Sequence, residues 1–130
     1  VLGDAEVLDL FAGSGACGIE AISRGARSAV FVDSDARACK LISQNLADLD
    51  MEGEVIRRDA LRFLSSPHRF DLAIVDPPYA FDKWHELLGM LVSDLIVCES
   101  GQPFEVPDQL SVVQQRNYGG TVITILERTS

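Results

Sequence analysis

The sequence predicts an α/β fold: a doubly wound, mostly parallel sheet covered by helices on both faces. Three observations predict it. Short apolar runs of strand type alternate with helical patterns along the chain, which calls for right-handed crossovers. The first run breaks at three glycines, Gly13, Gly15 and Gly18, and restarts as a helix. The last two runs flank Tyr118-Gly119-Gly120, a hairpin signal that places an antiparallel pair at one edge. At 130 residues the chain suits one domain, residues 1–130, with one core.

Each element follows from local pattern. Ala5 to Leu10 is a short apolar run suited to a buried parallel strand. Ala16 to Arg24 is a helix, with Ile19 and Ile22 inward and Gly25 as its stop. Ser28 to Val32 is the second strand. Ser34 or Asp35 caps the next helix, whose Leu41, Ile42, Asn45, Leu46 and Leu49 make one largely apolar stripe. Gly53 ends that connection and Glu54 to Arg57 is the third strand. Ala60 to Leu64 is a brief helix stopped by Ser65-Ser66-Pro67. Phe70 to Val75 is the clearest strand, ended abruptly by Asp76-Pro77-Pro78-Tyr79. Lys83 to Val92 reads as a helix with Trp84, Leu87, Leu88 and Leu91 on one side. Leu95 to Cys98 is the fifth strand, and Gly101 to Asp108, with two prolines, is a loop. Ser111 to Asn117 and Thr121 to Glu127 are the closing pair.

Composition narrows the function classes. No apolar run approaches the roughly 20 residues of a membrane span. The opening Val1-Leu2-Gly3-Asp4 lacks the basic-then-apolar pattern of a signal peptide, so the expected location is cytoplasmic and away from membranes. Three cysteines without C-x-x-C spacing read as reduced, mostly buried thiols, and two distant histidines offer no metal site. A net charge of −9 argues against a free-standing nucleic-acid clamp, which needs a basic face. Local clusters such as Arg57, Arg58 and Arg62 read as solvated surface.

The residues that carry chemistry lie at predicted strand ends. Gly13, Gly15 and Gly18 fit G-x-G-x-x-G between a strand and a helix, where the backbone approaches a ligand closely. Alone, this pattern admits a dinucleotide, another adenosine-containing ligand or a tight turn. Asp33 closes the second strand and faces the same crevice, where it can accept both hydroxyls of a ribose. Its bland reading is a helix cap, a role open also to Ser34 or Asp35. Asp59, at the end of the third strand, either accepts from an adenine amino group or caps a helix. Asp9, just before the glycines, would repel a phosphate and favours a ligand with a positive amino group.

Asp76-Pro77-Pro78-Tyr79 is the most specific signal. From average composition, a chance match in a chain this long arises in about one case in a thousand. It falls at the C-terminal end of a strand beside the first, where open α/β sheets bind ligands. Proline removes N–H donors and fixes φ, leaving the Asp76 carboxylate and the Pro77 carbonyl as neighbouring acceptors. They suit an exocyclic NH2, and Tyr79 offers a ring on which a flat base can stack.

At these residues the chain resembles the class I S-adenosylmethionine-dependent methyltransferases. The Asp-Pro-Pro-Tyr turn is similar to the signature of amino methyltransferases that act on nucleic-acid bases or on protein glutamine. A narrower resemblance rests on Val7 to Ala26, on Phe-Val-Asp-Ser-Asp at 31–35, and on Tyr-Gly-Gly-Thr at 118–121. Together these resemble the bacterial 16S rRNA (guanine-N2) methyltransferases, the RsmD-like family, over nearly the whole chain. The resemblance implies a three-layer α/β/α Rossmann-like fold with a seven-stranded sheet in the order 3-2-1-4-5-7-6. It implies S-adenosyl-L-methionine as cofactor, with 16S rRNA or the small ribosomal subunit as partner.

By the same resemblance, Asp9 and the turn of Phe11, Ala12, Gly13, Ser14 and Gly15 would hold the methionine end of the cofactor. Asp33 and Ser34 would hold the ribose, and Asp59 with the Ala60 backbone would read the adenine. Asp76, Pro77 and Tyr79 would orient the guanine amino group. The reaction implied is a direct in-line methyl transfer with no metal and no covalent enzyme intermediate. Family members carry a basic upstream segment with Arg-Pro-Thr and Arg-x-x-Glu elements. The first strand here starts about five residues in, so that segment is expected to be missing. Alternatives are transfer to adenine-N6 or protein glutamine, a nicotinamide-dependent dehydrogenase, and a core domain without activity of its own. Asp9 and the Pro-Pro turn disfavour the dehydrogenase.

Overall fold

A computed structural model of the chain describes residues 2–129. Its elements alternate as β1 (Glu6–Leu10), α1 (Ala16–Ser23), β2 (Ser28–Asp33), α2 (Ala36–Asp48), β3 (Glu54–Arg57), α3 (Ala60–Leu64), β4 (Arg69–Val75), α4 (Trp84–Met90), β5 (Val92–Ser100), β6 (Leu110–Tyr118) and β7 (Thr121–Arg128). One seven-stranded sheet runs β3-β2-β1-β4-β5-β7-β6, the expected order. β1 to β5 are mutually parallel; β7 runs antiparallel to β5 and to β6. Tyr118 pairs with Thr121 across Gly119 (φ 59°) and Gly120 (φ 93°), a two-residue hairpin turn that needs positive φ at both positions. No helix among the described residues is long and apolar enough to cross a membrane.

Alternation along each strand sorts side chains onto two faces. One face presents Leu8, Leu10, Val75, Ile96 and Leu126 to α3 and α4, which return Leu64, Leu87 and Leu88. Trp84 of α4 stacks on Phe104 with centroids 4.2 Å apart, tying the β5–β6 loop to this main core. On the other face, α1 and α2 close over Ala29 and Phe31 with Ile42 and Leu46. That cluster stops at the β1–β3 half of the sheet. Farther along the same face, Leu72 pairs with Leu95, and Ile74 aligns with Val97 and Ile125. None of these is fully buried, Leu95 is 38% exposed, and none joins either apolar cluster.

Phe31, fully buried, decides two glycine positions and shares a third with Ile42. A Cβ at Gly18 would lie 2.4 Å from its ring, one at Gly53 2.8 Å, and one at Gly15 3.3 Å. The third glycine of the turn motif is therefore required by packing of α1 on β2. The inward face of α1 holds the expected Ile19 and Ile22, which pack against the Phe31 cluster, and is centred on Gly18 and Ala21. Gly18 and Ala21 are its buried residues, and Ile19 and Ile22 flank them half-buried.

Other boundaries differ for physical reasons. The α2 stripe is narrower than expected, because the helix rests mainly on β2 and β3. Ile42 and Leu46 are buried, while Leu41 and Leu49 are exposed by 44% and 53%. The helix expected to reach Val92 ends at Met90. Gly89 weakens its last turn, and Val92 pairs with Arg69 to open a β5 that continues to Ser100 rather than ending at Cys98. Of the cysteines only Cys98 is buried; Cys39 is half-buried and Cys17 is exposed.

Candidate active site

The C-terminal ends of β1, β2 and β4 converge on the glycine turn. The Ala12 N–H donates to the Val32 carbonyl at 3.0 Å. The Gly13 N–H donates to one Asp33 carboxylate oxygen at 3.0 Å, and the Asp35 N–H to the other at 2.9 Å. Asp33 therefore fastens the turn to β2, and each oxygen keeps a lone pair directed away from these donors. Asp35, not Ser34, caps α2, accepting from the Arg37 N–H. Ser34 is exposed and its carbonyl accepts from Arg57. The Ser14 carbonyl accepts from the Asn45 side chain at 3.0 Å, fastening the turn to α2 as well.

Phe11 adopts φ 61°, a left-handed conformation that costs a phenylalanine about 1–3 kcal/mol. Its ring meets Phe81 edge-on at 5.3 Å. These two rings, with Asp59, Ala60, Leu61 and Pro78, line a cavity of about 420 Å³, a size suited to a small organic ligand. Asp59 lies at its rim and also caps α3, accepting from the Arg62 N–H at 3.2 Å. Ala60 is buried behind it.

Asp9 lies near the end of β1, just before the glycine turn, as expected. It is 3% exposed, and its carboxylate accepts from the Gly18 N–H at 3.0 Å. The α1 N-cap is Gly15, which has no side chain, so Asp9 reaches across from β1 to satisfy a first-turn donor. Burial, followed by the charges of Asp76 and Asp33, raises its pKa from 3.8 to about 7, against the opposing Gly18 hydrogen bond. A native carboxyl with a raised pKa holds an extra proton between those two values. Its stabilising contribution is present at pH 4 and lost as pH rises through about 7. Asp9→Asn is therefore expected to raise the melting temperature by several degrees at pH 8 and by little at pH 4. An equal change at both pH values would contradict this account.

Asp76 follows β4, with Pro77 buried beneath it and Tyr79 72% exposed. Its pKa is raised to about 7 by partial desolvation first, then by a hydrogen bond to Glu99 and the charge of Glu99. The Tyr79 hydroxyl lies 3.0 Å from the Thr121 hydroxyl, linking the Pro-Pro turn to the β6–β7 turn. Tyr79 is thus held at one end while its ring stays open to solvent.

The structure brings Asp9, Asp33, Asp76 and the Phe11–Gly15 turn to one crevice, with Asp59 and Ala60 beside it. Glu99, Phe81 and Thr121 were not legible as site residues. Glu99 was missed because β5 was expected to end at Cys98, one residue short. The assembled features suit a ligand with a flat apolar part and a positive charge. There is an aromatic-lined slot, a cluster of carboxylates, and open space where a side chain at Gly13 would stand.

A family model described as conserved hypothetical protein 95 matches residues 1–127. This chain belongs to that family. YlbH of Bacillus subtilis (strain 168), provisionally named an rRNA methyltransferase, is 36% identical over 137 residues, covering 93% of this chain and 74% of its own. Ribosomal RNA small subunit methyltransferase D of Haemophilus influenzae is 29% identical over 129 residues, covering 88% of this chain and 67% of its own. The structure of yhhF from Escherichia coli, provisionally named a methyltransferase, superposes with a TM-score of 0.91 at 30% identity. It covers all of this chain and 78% of its own. The RsmD-like resemblance and the class read from the sequence, methyltransferase, both stand, as does the Rossmann-like α/β fold.

Proposed function

We propose that this chain transfers a methyl group from S-adenosyl-L-methionine to the exocyclic N2 of a guanine in small-subunit rRNA. One observation carries the reading: the Asp76-Pro77-Pro78-Tyr79 turn ends the strand beside β1, next to the acidic crevice of the glycine turn. The cofactor supplies a methyl group already activated on a sulfonium. The protein's share is alignment and placement of acceptors.

Asp9 and the turn of Phe11, Ala12, Gly13, Ser14 and Gly15 form the wall for the methionine end. Asp9 acts there mainly by fixing α1 and by its field. The free lone pairs of Asp33, with Ser34 alongside, suit the ribose hydroxyls. The cavity between Phe11 and Phe81 suits the adenine, with Asp59 and Ala60 at its edge. The Asp76 carboxylate and the Pro77 carbonyl accept from the target amine, and the Tyr79 ring supports the base. Carboxylates near a sulfonium also favour binding of the charged cofactor over its neutral thioether product.

The test is parallel methyl transfer from tritiated cofactor to small ribosomal subunits, naked 16S rRNA, DNA and protein. Calorimetry with S-adenosylhomocysteine and with NAD completes it. The expected result is label recovered as N2-methylguanine in small-subunit rRNA, with S-adenosylhomocysteine bound and NAD not. Label only in DNA or only in protein glutamine would replace the substrate, and NAD binding would replace the reaction.

A further inference from the structure

The parallel register of β4 and β5 pairs Val75 with Cys98, so the next residues, Asp76 and Glu99, stand side by side at the sheet end. Val75 and Cys98 both face the buried core, so by alternation Asp76 and Glu99 turn to the opposite face, and Glu99 is the side chain that acts on Asp76. Two carboxyl groups hydrogen-bond only when one of them holds a proton. Glu99 is half-buried and its other sheet neighbour is Ile123, which offers no polar group.

We propose that Glu99 is a positioning residue for Asp76, the two carboxyl groups acting as one proton-sharing pair that receives the proton released by the substrate amine. This rests on the methyl-transfer reading above. The proton balance requires such a receiver. As the amine nitrogen gains the methyl carbon, the carbon–sulfur bond breaks and its electron pair stays on sulfur. The nitrogen then carries a surplus N–H proton. That proton passes to the Asp76 carboxylate, is shared with Glu99, and returns to water when product leaves. A single carboxylate at its ordinary pKa would accept that proton poorly; two ionised carboxylates side by side repel each other, and uptake of one proton relieves that repulsion.

The groups around the pair define its field. Asp9 of β1 and Cys17 in the first turn of α1 both sense the charge of Asp76, and Cys17 senses Glu99 as well. Asp33 of β2 acts on Asp9. Arg116 of β6 lies across Ile123, two strands from Glu99. The surroundings of the pair are thus acidic, which favours uptake of one shared proton from the amine.

Glu99→Gln keeps a hydrogen bond to Asp76 but carries neither charge nor a transferable proton. Its amide donates to Asp76 and favours the ionised form. The acid limb of the kcat–pH profile is expected to move to lower pH by about one unit or more. In the ligand-free full chain, carbon-detected NMR should show the Asp76 carboxyl titrating in two coupled steps. In Glu99→Gln it should show one step at lower pH. Superimposable pH profiles in the two proteins would overturn the proposal. If the variant does not fold, the wild-type titration decides alone: coupled steps support the pair, and two independent steps in the ordinary carboxylate range overturn it. Absence of methyl transfer by the wild type at every pH would refute the function proposed above. The carboxyl titration would still judge the pair.

Discussion

Asp76→Ala is expected to lose methyl transfer by roughly 100-fold or more in kcat, while S-adenosylhomocysteine binds within a few-fold of wild type. In the proposed reaction Asp76 stands at the substrate side of the crevice. The fixing contacts of the glycine turn run through Asp33, Val32 and Asn45 instead. Its removal therefore leaves the cofactor wall in place. It also lifts one of the charges that raise the Asp9 pKa, so the fold is not expected to suffer. Asp76→Asn should fall between the two, because an amide oxygen accepts an amine N–H but is a poor proton acceptor. Single-turnover methyl transfer together with calorimetry separates the two effects. Near-full turnover in Asp76→Ala would remove Asp76 from the reaction, and a matching loss of cofactor affinity would place it in the cofactor wall.

Gly18→Ala carries the largest expected effect on stability. In an open helix this substitution is favourable by roughly 1 kcal/mol, and Gly18 lies in the first turn of α1. Here the added carbon would sit 2.4 Å from one Phe31 ring atom and 2.9 Å from the next. Phe31 is fully buried and has no room to withdraw. Relief requires α1 to lift, which also stretches the Gly18–Asp9 hydrogen bond. Overpacking of this kind costs about 1–3 kcal/mol, so thermal unfolding should occur roughly 5–15 °C lower. Pairing it with Phe31→Leu should recover part of the loss. A melting temperature above wild type would show that propensity wins and that the packing argument is wrong.

Most elements were legible because the β-runs are short, apolar and punctuated by Gly, Pro and Asp, while the sheet order followed from the family resemblance. Leu8, Leu10, Val75 and Ile96 needed no tertiary information to be placed in the core. The glycine turn and the Asp76 turn were legible because their residue types have few other uses at a strand end. The roles of Asp9 and Gly18 were not. Each depends on a partner far away in sequence, and neither a bond from a β1 carboxylate to a helix N–H nor a clash with Phe31 leaves a local pattern. Glu99 was hidden by a strand end that only pairing with β4 and β7 defines. Thr121 sat in a recognised turn, yet its contact with Tyr79 spans 42 residues.

The two halves of the sheet are not equally buried, and motion follows from that. Four of the five β1 residues are buried, whereas β6 is exposed from Val112 to Tyr118. Opening costs least where few apolar contacts must be broken. Amide-exchange protection should therefore fall outward from β1 through β4, β5 and β7 to β6; uniform protection would show that the bare half is held as firmly. Asp76 and Glu99 stand on either side of the β4–β5 seam. Any fluctuation that frees the outer three strands also parts these two carboxyl groups, so breathing of the sheet edge and proton exchange at the crevice become one event.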